Sequence, residues 1–332
     1  MLANLNQLIA EFHLLFAILA VFGGLITLLW SADKFISGSA DVANFIGIPA
    51  LLIGILIVGF GTSAPEMLVS AVAAMEHKSE LALGNAYGSN ICNIALILGL
   101  TALIKPIHSN KVILLRDLPI LFSLTLFSAY QIYDGVLSRT DAIVLLVLFV
   151  ICMSFIILTD LKREKIPEAE NSSNSAKDIN LFISLFWLFF GLILLVASSK
   201  ILVWGAVEIA HIFKISDLII GLTIVAVGTS LPELASSITA ARKNHHDIVL
   251  GNIIGSNIFN LLCVVGIAGS IYPATVGREV LYRDFLVMAL LNFFLFIFLC
   301  GRGQIGRTKG AILLLTYITY TAYLIYEVIN NL

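Results

Sequence analysis

An all-α polytopic membrane protein, with about ten transmembrane helices in two inverted five-helix repeats, is implied by three properties of this 332-residue chain. The first is composition. Hydrophobic residues make up 59% and charged residues 12%, against roughly 45–50% and about 25% in soluble domains, and the mean hydropathy is +1.02. The second is run length: the chain stays apolar for about 20 residues at a time, enough to cross roughly 30 Å of hydrocarbon as a helix. The third is an internal duplication. A water-soluble enzyme cannot hide this much apolar surface. The net charge of −2 leaves no basic footprint for nucleic acid. Strands of an outer-membrane barrel would alternate polar and apolar residues, and these runs do not.

Apolar stretches between short polar breaks place candidate spans at 13–32, 48–75, 82–104, 112–132, 140–159, 181–210, 215–241, 248–270, 280–300 and 308–328. Before the first run only Glu11 and His13 are titratable, so it lacks the basic start of a cleaved signal and reads as a retained helix. The one long hydrophilic interval, 160–180, carries nine of the 40 charges together with a Ser/Asn run; it reads as a solvated linker. The expected division is a first repeat over 1–159, a linker over 160–180 and a second repeat over 181–332. Cys92, Cys152, Cys263 and Cys300 all lie in apolar runs without a CxxC, which suits small core residues rather than a disulfide framework or zinc site.

The duplication has a constant offset of 167. GTSAPE at 61–66 recurs as GTSLPE at 228–233, GNAYGSNICN at 84–93 as GNIIGSNIFN at 251–260, and Arg116-Asp117 as Arg283-Asp284. Residues 48–99 align with 215–266 without a gap, with 23 identities in 52 positions. Five spans per copy is odd, so the second copy enters the membrane from the opposite face. Loops on the linker side hold about eleven Lys and Arg, plus Lys34 near the first span, against four on the other side (Lys78, Arg139, Lys214 and Arg278). The positive-inside rule then makes the linker cytoplasmic and both termini external. Inverted repeats of this kind are the plan of many secondary transporters.

Glu66 and Glu233 sit deep in their spans, where an uncompensated carboxylate costs at least several kcal/mol. Lys200 is the one base well inside a span, and its counterpart position 33 is Asp. Gly61 with Pro65, and Gly228 with Pro232, weaken the helical ladder, since proline frees a carbonyl; at membrane depth such backbone belongs beside a cavity or an ion. Thr62, Ser63, Thr229 and Ser230 occupy the same turns. Thr62 and Glu66 share a helix face at i and i+4, as do Ser89 and Asn93 on the next span and Ser256 and Asn260 in its copy. Every donor offered is a hard oxygen, which suits Ca²⁺ and Na⁺ rather than zinc or copper. A pseudo-two-fold axis in the membrane plane would bring the two glutamates to one site. Their mutual repulsion at low dielectric is cancelled by a divalent cation, so a Ca²⁺ site at the bilayer midplane is expected.

The paired motifs GTSAPE/GTSLPE and GNAYGSNICN/GNIIGSNIFN resemble the two alpha-repeats of the sodium/calcium exchangers in the cation/Ca²⁺ antiporter superfamily. The resemblance implies a Ca²⁺ site flanked by Na⁺ sites, with Glu66 and Glu233 as central ligands. It implies hydroxyl or carbonyl oxygens from Thr62, Ser63, Thr229 and Ser230, backbone carbonyls from Gly59 and Ala226, and completion by Ser89, Asn93, Ser256 and Asn260. Some relatives carry Asp at one of the positions held here by Asn93 and Asn260, a pattern resembled by K⁺-co-transporting members; Asn at both implies no K⁺ requirement. A linker of about 20 residues leaves no room for the large Ca²⁺-sensing domains of some relatives. The expected activity is exchange of Ca²⁺ for Na⁺ in a cell (inner) membrane, by a monomer, with no cofactor beyond the transported ions. A Ca²⁺/H⁺ antiporter on the same scaffold is the nearest rival. A cation channel lacks a selectivity-filter run, and an intramembrane metalloprotease lacks HExxH. Asn90 and Asn257 are expected to serve packing, Arg116-Asp117 and Arg283-Asp284 to pair near an interface, and His245-His246 to lie in a solvated loop. Asp33, Asp41 and Glu208 stand near an access path or at helix ends.

Overall fold

The computed structural model describes residues 2–162, 180–213, 226–278, 280–300 and 303–330. The helices are α1 (Leu2–Ile46), α2 (Ala50–Met75), α3 (Ser79–Ile104), α4 (Ile113–Gln131), α5 (Arg139–Leu161), α6 (Leu181–Ile212), α7 (Ala226–Thr229), α8 (Leu231–Arg242), α9 (His246–Ile271), α10 (Val280–Cys300) and α11 (Arg307–Asn330). Among the described residues eight of them, α1 to α6, α9 and α10, are long and apolar enough to cross a membrane. The span expected at 215–241 begins outside the described residues, which resume at α7 and α8. The one expected at 308–328 is α11, whose tyrosines and threonines dilute its hydropathy.

Most expected boundaries lie within three residues of the helix ends. The first does not: 13–32 is expected, whereas α1 continues to Ile46. Asp33 and Asp41 therefore lie within a helix, not at its end, and Asp33 is carried there by an ion pair with Lys243. The expected motif break also differs between the copies. α2 runs unbroken through Pro65, after a π-helical segment at Gly54–Gly59. The second copy does break, at Ser230 between α7 and α8. There Pro232 lies in the first turn of α8, where a missing N–H costs nothing, and the Gly228 carbonyl it would have bonded accepts from Ser199 Oγ of α6 at 3.0 Å.

The π-helical segments are duplicated as well: Asn93–Leu98 matches Phe259–Val264, and Ile113–Asp117 matches Val280–Phe285, near the 167-residue offset. Such wide turns are rare and concentrate at functional positions.

Four two-residue strands record how the halves are disposed. β1 (Ile107–His108) pairs antiparallel with β4 (Gln304–Ile305), and β2 (Val136–Leu137) with β3 (Ala274–Thr275). β1 and β2 flank opposite ends of α4; their counterparts β3 and β4 flank opposite ends of α10. Pairing β1 with β4 and β2 with β3 is possible only if α4 and α10, and so the two halves, run in opposite senses. Positions on the axis meet their own copies: Asn90 Nδ2 donates to the Asn257 carbonyl at 3.2 Å and Asn292 Nδ2 to Thr125 Oγ1 at 3.1 Å.

α9 is the most enclosed of the spanning helices, and α3 follows. α9 lies directly against α2, because a Cβ on Gly255 would stand 2.7 Å from the Ile55 carbonyl oxygen. The outer helices turn large side chains such as Phe22, Ile26, Phe182 and Ile193 outward, as a lipid-facing belt requires. Cys92 and Cys152 are buried, Cys300 is exposed, and all four cysteines are free.

Candidate ion-binding site

Glu66 on α2 and Glu233 on α8 are both buried, each about 1% exposed. Ser63 Oγ of the first half donates to Glu233 Oε1 of the second at 3.4 Å, so the two motifs share one locus. Neither glutamate pairs with a base among the described residues. The two arginines of the duplicated Arg-Asp pairs are engaged elsewhere. Arg116 binds Asp117 at 2.6 Å and also Asp160, and Arg283 binds Asp284 at 2.7 Å and Glu327 at 2.6 Å.

The oxygens around the glutamates are short of donors. Both carboxylate oxygens of Glu66, Asn93 Oδ1 and Asn260 Oδ1 accept no hydrogen bond from another described residue, and all three residues are about 1% exposed. A buried acceptor left unmatched costs about 1–3 kcal/mol. Four such atoms in one polar core fit a site whose missing partner is a cation. Asn93 is oriented by its own amide, which donates to Asn257 Oδ1 at 2.9 Å, while its carbonyl oxygen stays buried without a donor. No group of three or more His, Cys, Asp or Glu comes together among the described residues. The oxygens that accompany the two glutamates here belong to hydroxyl, amide and backbone groups, the set that Ca²⁺ and Na⁺ accept.

The other expected residues fall around this locus with unequal freedom. Thr62 Oγ1 is buried and donates to the Val58 carbonyl at 2.9 Å and lies 3.2 Å from Asn252 Oδ1. Ser256 Oγ donates to the Gly59 carbonyl at 3.3 Å, tying α9 to the π-helical end of α2. Ser89 is buried on α3, Ser230 is buried with no hydrogen-bond partner for its hydroxyl among the described residues, and Thr229 closes α7. Ala226 opens α7 at the edge of the described residues.

Two residues not singled out above hold the glutamates in place. Asn85 Nδ2 donates to the Glu66 carbonyl at 3.2 Å and to Ser70 Oγ at 2.9 Å. Its copy Asn252 donates to the Glu233 carbonyl at 3.4 Å and to Ser237 Oγ at 3.0 Å. Both lie in the duplicated GN pair at 84–85 and 251–252, so the signal was present. The acid partners Asp160 and Glu327 were also missed, although they too stand 167 apart. His246 is not in a solvated loop: it opens α9, half-buried, with its ring 5.0 Å from that of His108.

Comparison with known proteins agrees with this arrangement. The family described as sodium/calcium exchanger protein matches residues 16–158 and again 183–326, two stretches that begin 167 residues apart. The chain is 38% identical to the inner membrane protein YrbG of Escherichia coli K12, covering 91% of this chain and 94% of that one. It is 30% identical to the sodium/calcium exchanger MaX1 of Methanosarcina acetivorans, over 91% and 97%. Its fold superposes on a solved structure of the sodium-calcium exchanger NCX_Mj, soaked with zero Na⁺ and Ca²⁺, with a TM-score of 0.82, 34% identity and coverage of 94% and 99%.

Proposed function

The chain belongs to the sodium/calcium exchanger protein family, and on that premise we propose that it is a secondary antiporter exchanging Ca²⁺ for Na⁺ by alternating access. The observation that carries the proposal is the cluster of buried oxygens without donors around Glu66 and Glu233. Glu66 and Glu233 are the central ligands. Thr62, Ser63, Thr229, Ser230, Ser89, Asn93, Ser256 and Asn260 supply further oxygens, and Gly59 and Ala226 their carbonyls. The empty site carries two negative charges. One Ca²⁺ or several Na⁺ neutralise them, and the two kinds of cargo compete for the same atoms. Moving bare carboxylates through a low-dielectric barrier is penalised by desolvation. The carrier therefore changes sides mainly when loaded, and competition becomes coupled exchange.

The repeat division at 1–159 and 181–332, a cytoplasmic linker over 160–180 and external termini complete the reading, with the cell membrane as its place; the loop-charge asymmetry supports that orientation. α1 and α6, long and packed on one another, are the pair that slides past the site-bearing helices. No K⁺ requirement is expected, since Asn93 and Asn260 add no third carboxylate.

The deciding measurement is ⁴⁵Ca²⁺ uptake into proteoliposomes with Na⁺, K⁺ and H⁺ gradients imposed one at a time. Uptake driven by outward Na⁺ alone, unaffected by K⁺, is the expected result. Uptake that follows only a pH gradient would make the chain a Ca²⁺/H⁺ antiporter, with the same glutamates taking protons.

A further inference from the structure

Two pairs of positions carry opposite charges in the two halves. Position 33 is Asp and its copy 200 is Lys; position 76 is Glu and its copy 243 is Lys. An acid–base match between the two positions is therefore kept through the duplication, with the members exchanged. On the linker side the match is made. Lys243 Nζ lies 2.6 Å from Asp33 Oδ1 and donates to the Asp33 carbonyl at 3.0 Å and to Ser37 Oγ at 2.5 Å. It ties α1 to the end of the helix that bears Glu233.

On the opposite side the match is open. Glu76 pairs with Lys78 at 2.7 Å, with both side chains more than half exposed. Lys200 is exposed and forms no ion pair among the described residues. A cavity of about 350 Å³ separates α6 from α2 beside it, lined by Lys200 and Ser199, by Pro65 and Leu68, and by Thr229 and Pro232 next to Glu233. α1 packs along α8, whereas α6 touches α2 at few points. Halves of related sequence thus hold different conformations, and the charge pairs differ accordingly.

We propose that Asp33–Lys243 and Glu76–Lys200 are alternating latches, the first holding the linker side shut and the second closing the opposite side in the other state. The inference rests on the alternating-access reading. In an inverted repeat the second state is reached when the halves exchange conformations, and the copy of the Asp33–Lys243 contact is then Lys200–Glu76. Glu76 gives up little to make it, because an exposed pair such as Glu76–Lys78 is weak.

Cross-linking tests this on the full chain in proteoliposomes, with Cys263 and Cys300 replaced by serine. Asp33→Cys with Lys243→Cys is expected to be bridged, without any ion gradient, by a reducible bis-methanethiosulfonate long enough to span the reach of an Asp–Lys pair, each thiol displacing a sulfinate, and exchange should stop until the bridge is reduced. Glu76→Cys with Lys200→Cys is expected to cross-link when Na⁺ and Ca²⁺ on opposite sides set the carrier turning. With all four introduced cysteines in one chain, intact mass should show one bridge per chain, and peptide mapping should place it on one pair or the other. Both bridges together in one chain, or no Glu76–Lys200 cross-link while the carrier turns over, would overturn the latches. These readouts report distance, so they stand apart from the flux measurements that decide which ions are coupled. A second variant guards against misfolded cysteine chains. Lys200→Glu should slow exchange about two- to fivefold, the scale of an exposed ion pair, and Glu76→Lys added to it should restore the rate. An unchanged rate in the single variant, or a slowed rate that the second substitution fails to rescue, counts against the latches.

Discussion

Glu66 and Glu233 define the strongest expectation for single side chains. Glu66→Gln or Glu233→Gln keeps size and shape but removes the charge that a cation neutralises, and either should bring Na⁺-driven ⁴⁵Ca²⁺ uptake to background. Robust uptake by the doubly substituted chain would overturn the ligand assignment. Asn85 and Asn252 make a subtler case. Each amide fixes the main chain of one glutamate and a serine one turn on, so Asn85→Ala or Asn252→Ala should loosen the site without removing a ligand. A net hydrogen bond is worth about 1 kcal/mol. The Ca²⁺ concentration giving half-maximal uptake should accordingly rise roughly fivefold, with maximal rate less affected. The glutamates and the Ser/Asn faces were legible in the sequence because polar residues matched at one register inside apolar runs. Asn85 and Asn252 matched too. What identified them was their nitrogen donors reaching a neighbouring helix, and a search for oxygen ligands passes over donors.

Helices α4 and α10 each begin with a π-helical turn that carries an Arg-Asp pair, and each arginine reaches a second acid 44 residues on, near the end of α5 or α11. Asp117 and Asp160 are almost wholly buried, at 0% and 2% side-chain exposure, whereas Asp284 and Glu327 keep 13% and 27%. Removing one member of a buried pair leaves an uncompensated charge, at about 3–5 kcal/mol. Arg116→Gln should therefore lower the thermal midpoint in detergent more than Arg283→Gln; the reverse order would contradict the role given to burial. Close approach matters as much as charge. Gly255→Leu would press a side chain against the α2 backbone at Ile55, and overpacking of this sort costs about 1–3 kcal/mol, so it too should lower the midpoint. The Arg-Asp pairs could be read from the repeat, but the third member could not be found by identity, because Asp160 is copied as Glu327. The unbroken course of α2 through Pro65 was likewise hidden. Proline marks a freed carbonyl, and whether the helix opens there depends on neighbours such as Ser199, which has Ala32 as its counterpart.

For the molecule as a whole, odd span number and loop charge were enough to imply two halves of opposite sense, and the β1–β4 and β2–β3 pairings are the places where that sense becomes a contact. Which state the halves occupy was not legible, because two copies of one motif look alike in sequence while the structure gives them different conformations: Asp33–Lys243 is joined and Glu76–Lys200 is apart. The strands also supply a direct test of topology. His108 and Val136 are both exposed, at opposite ends of α4. In a chain with Cys263 and Cys300 replaced by serine, His108→Cys should react with a membrane-impermeant maleimide only from the cytoplasmic face. Val136→Cys should react only from the outer face. Thr275→Cys, the counterpart of His108 and a neighbour of Val136 in the sheet, should label from the outer face as well. Labelling of His108→Cys and Thr275→Cys from one and the same face would mean that the halves run in parallel. The two glutamates could then not be related by an axis in the membrane plane, and a single site shared by mirrored motifs would lose its geometric basis.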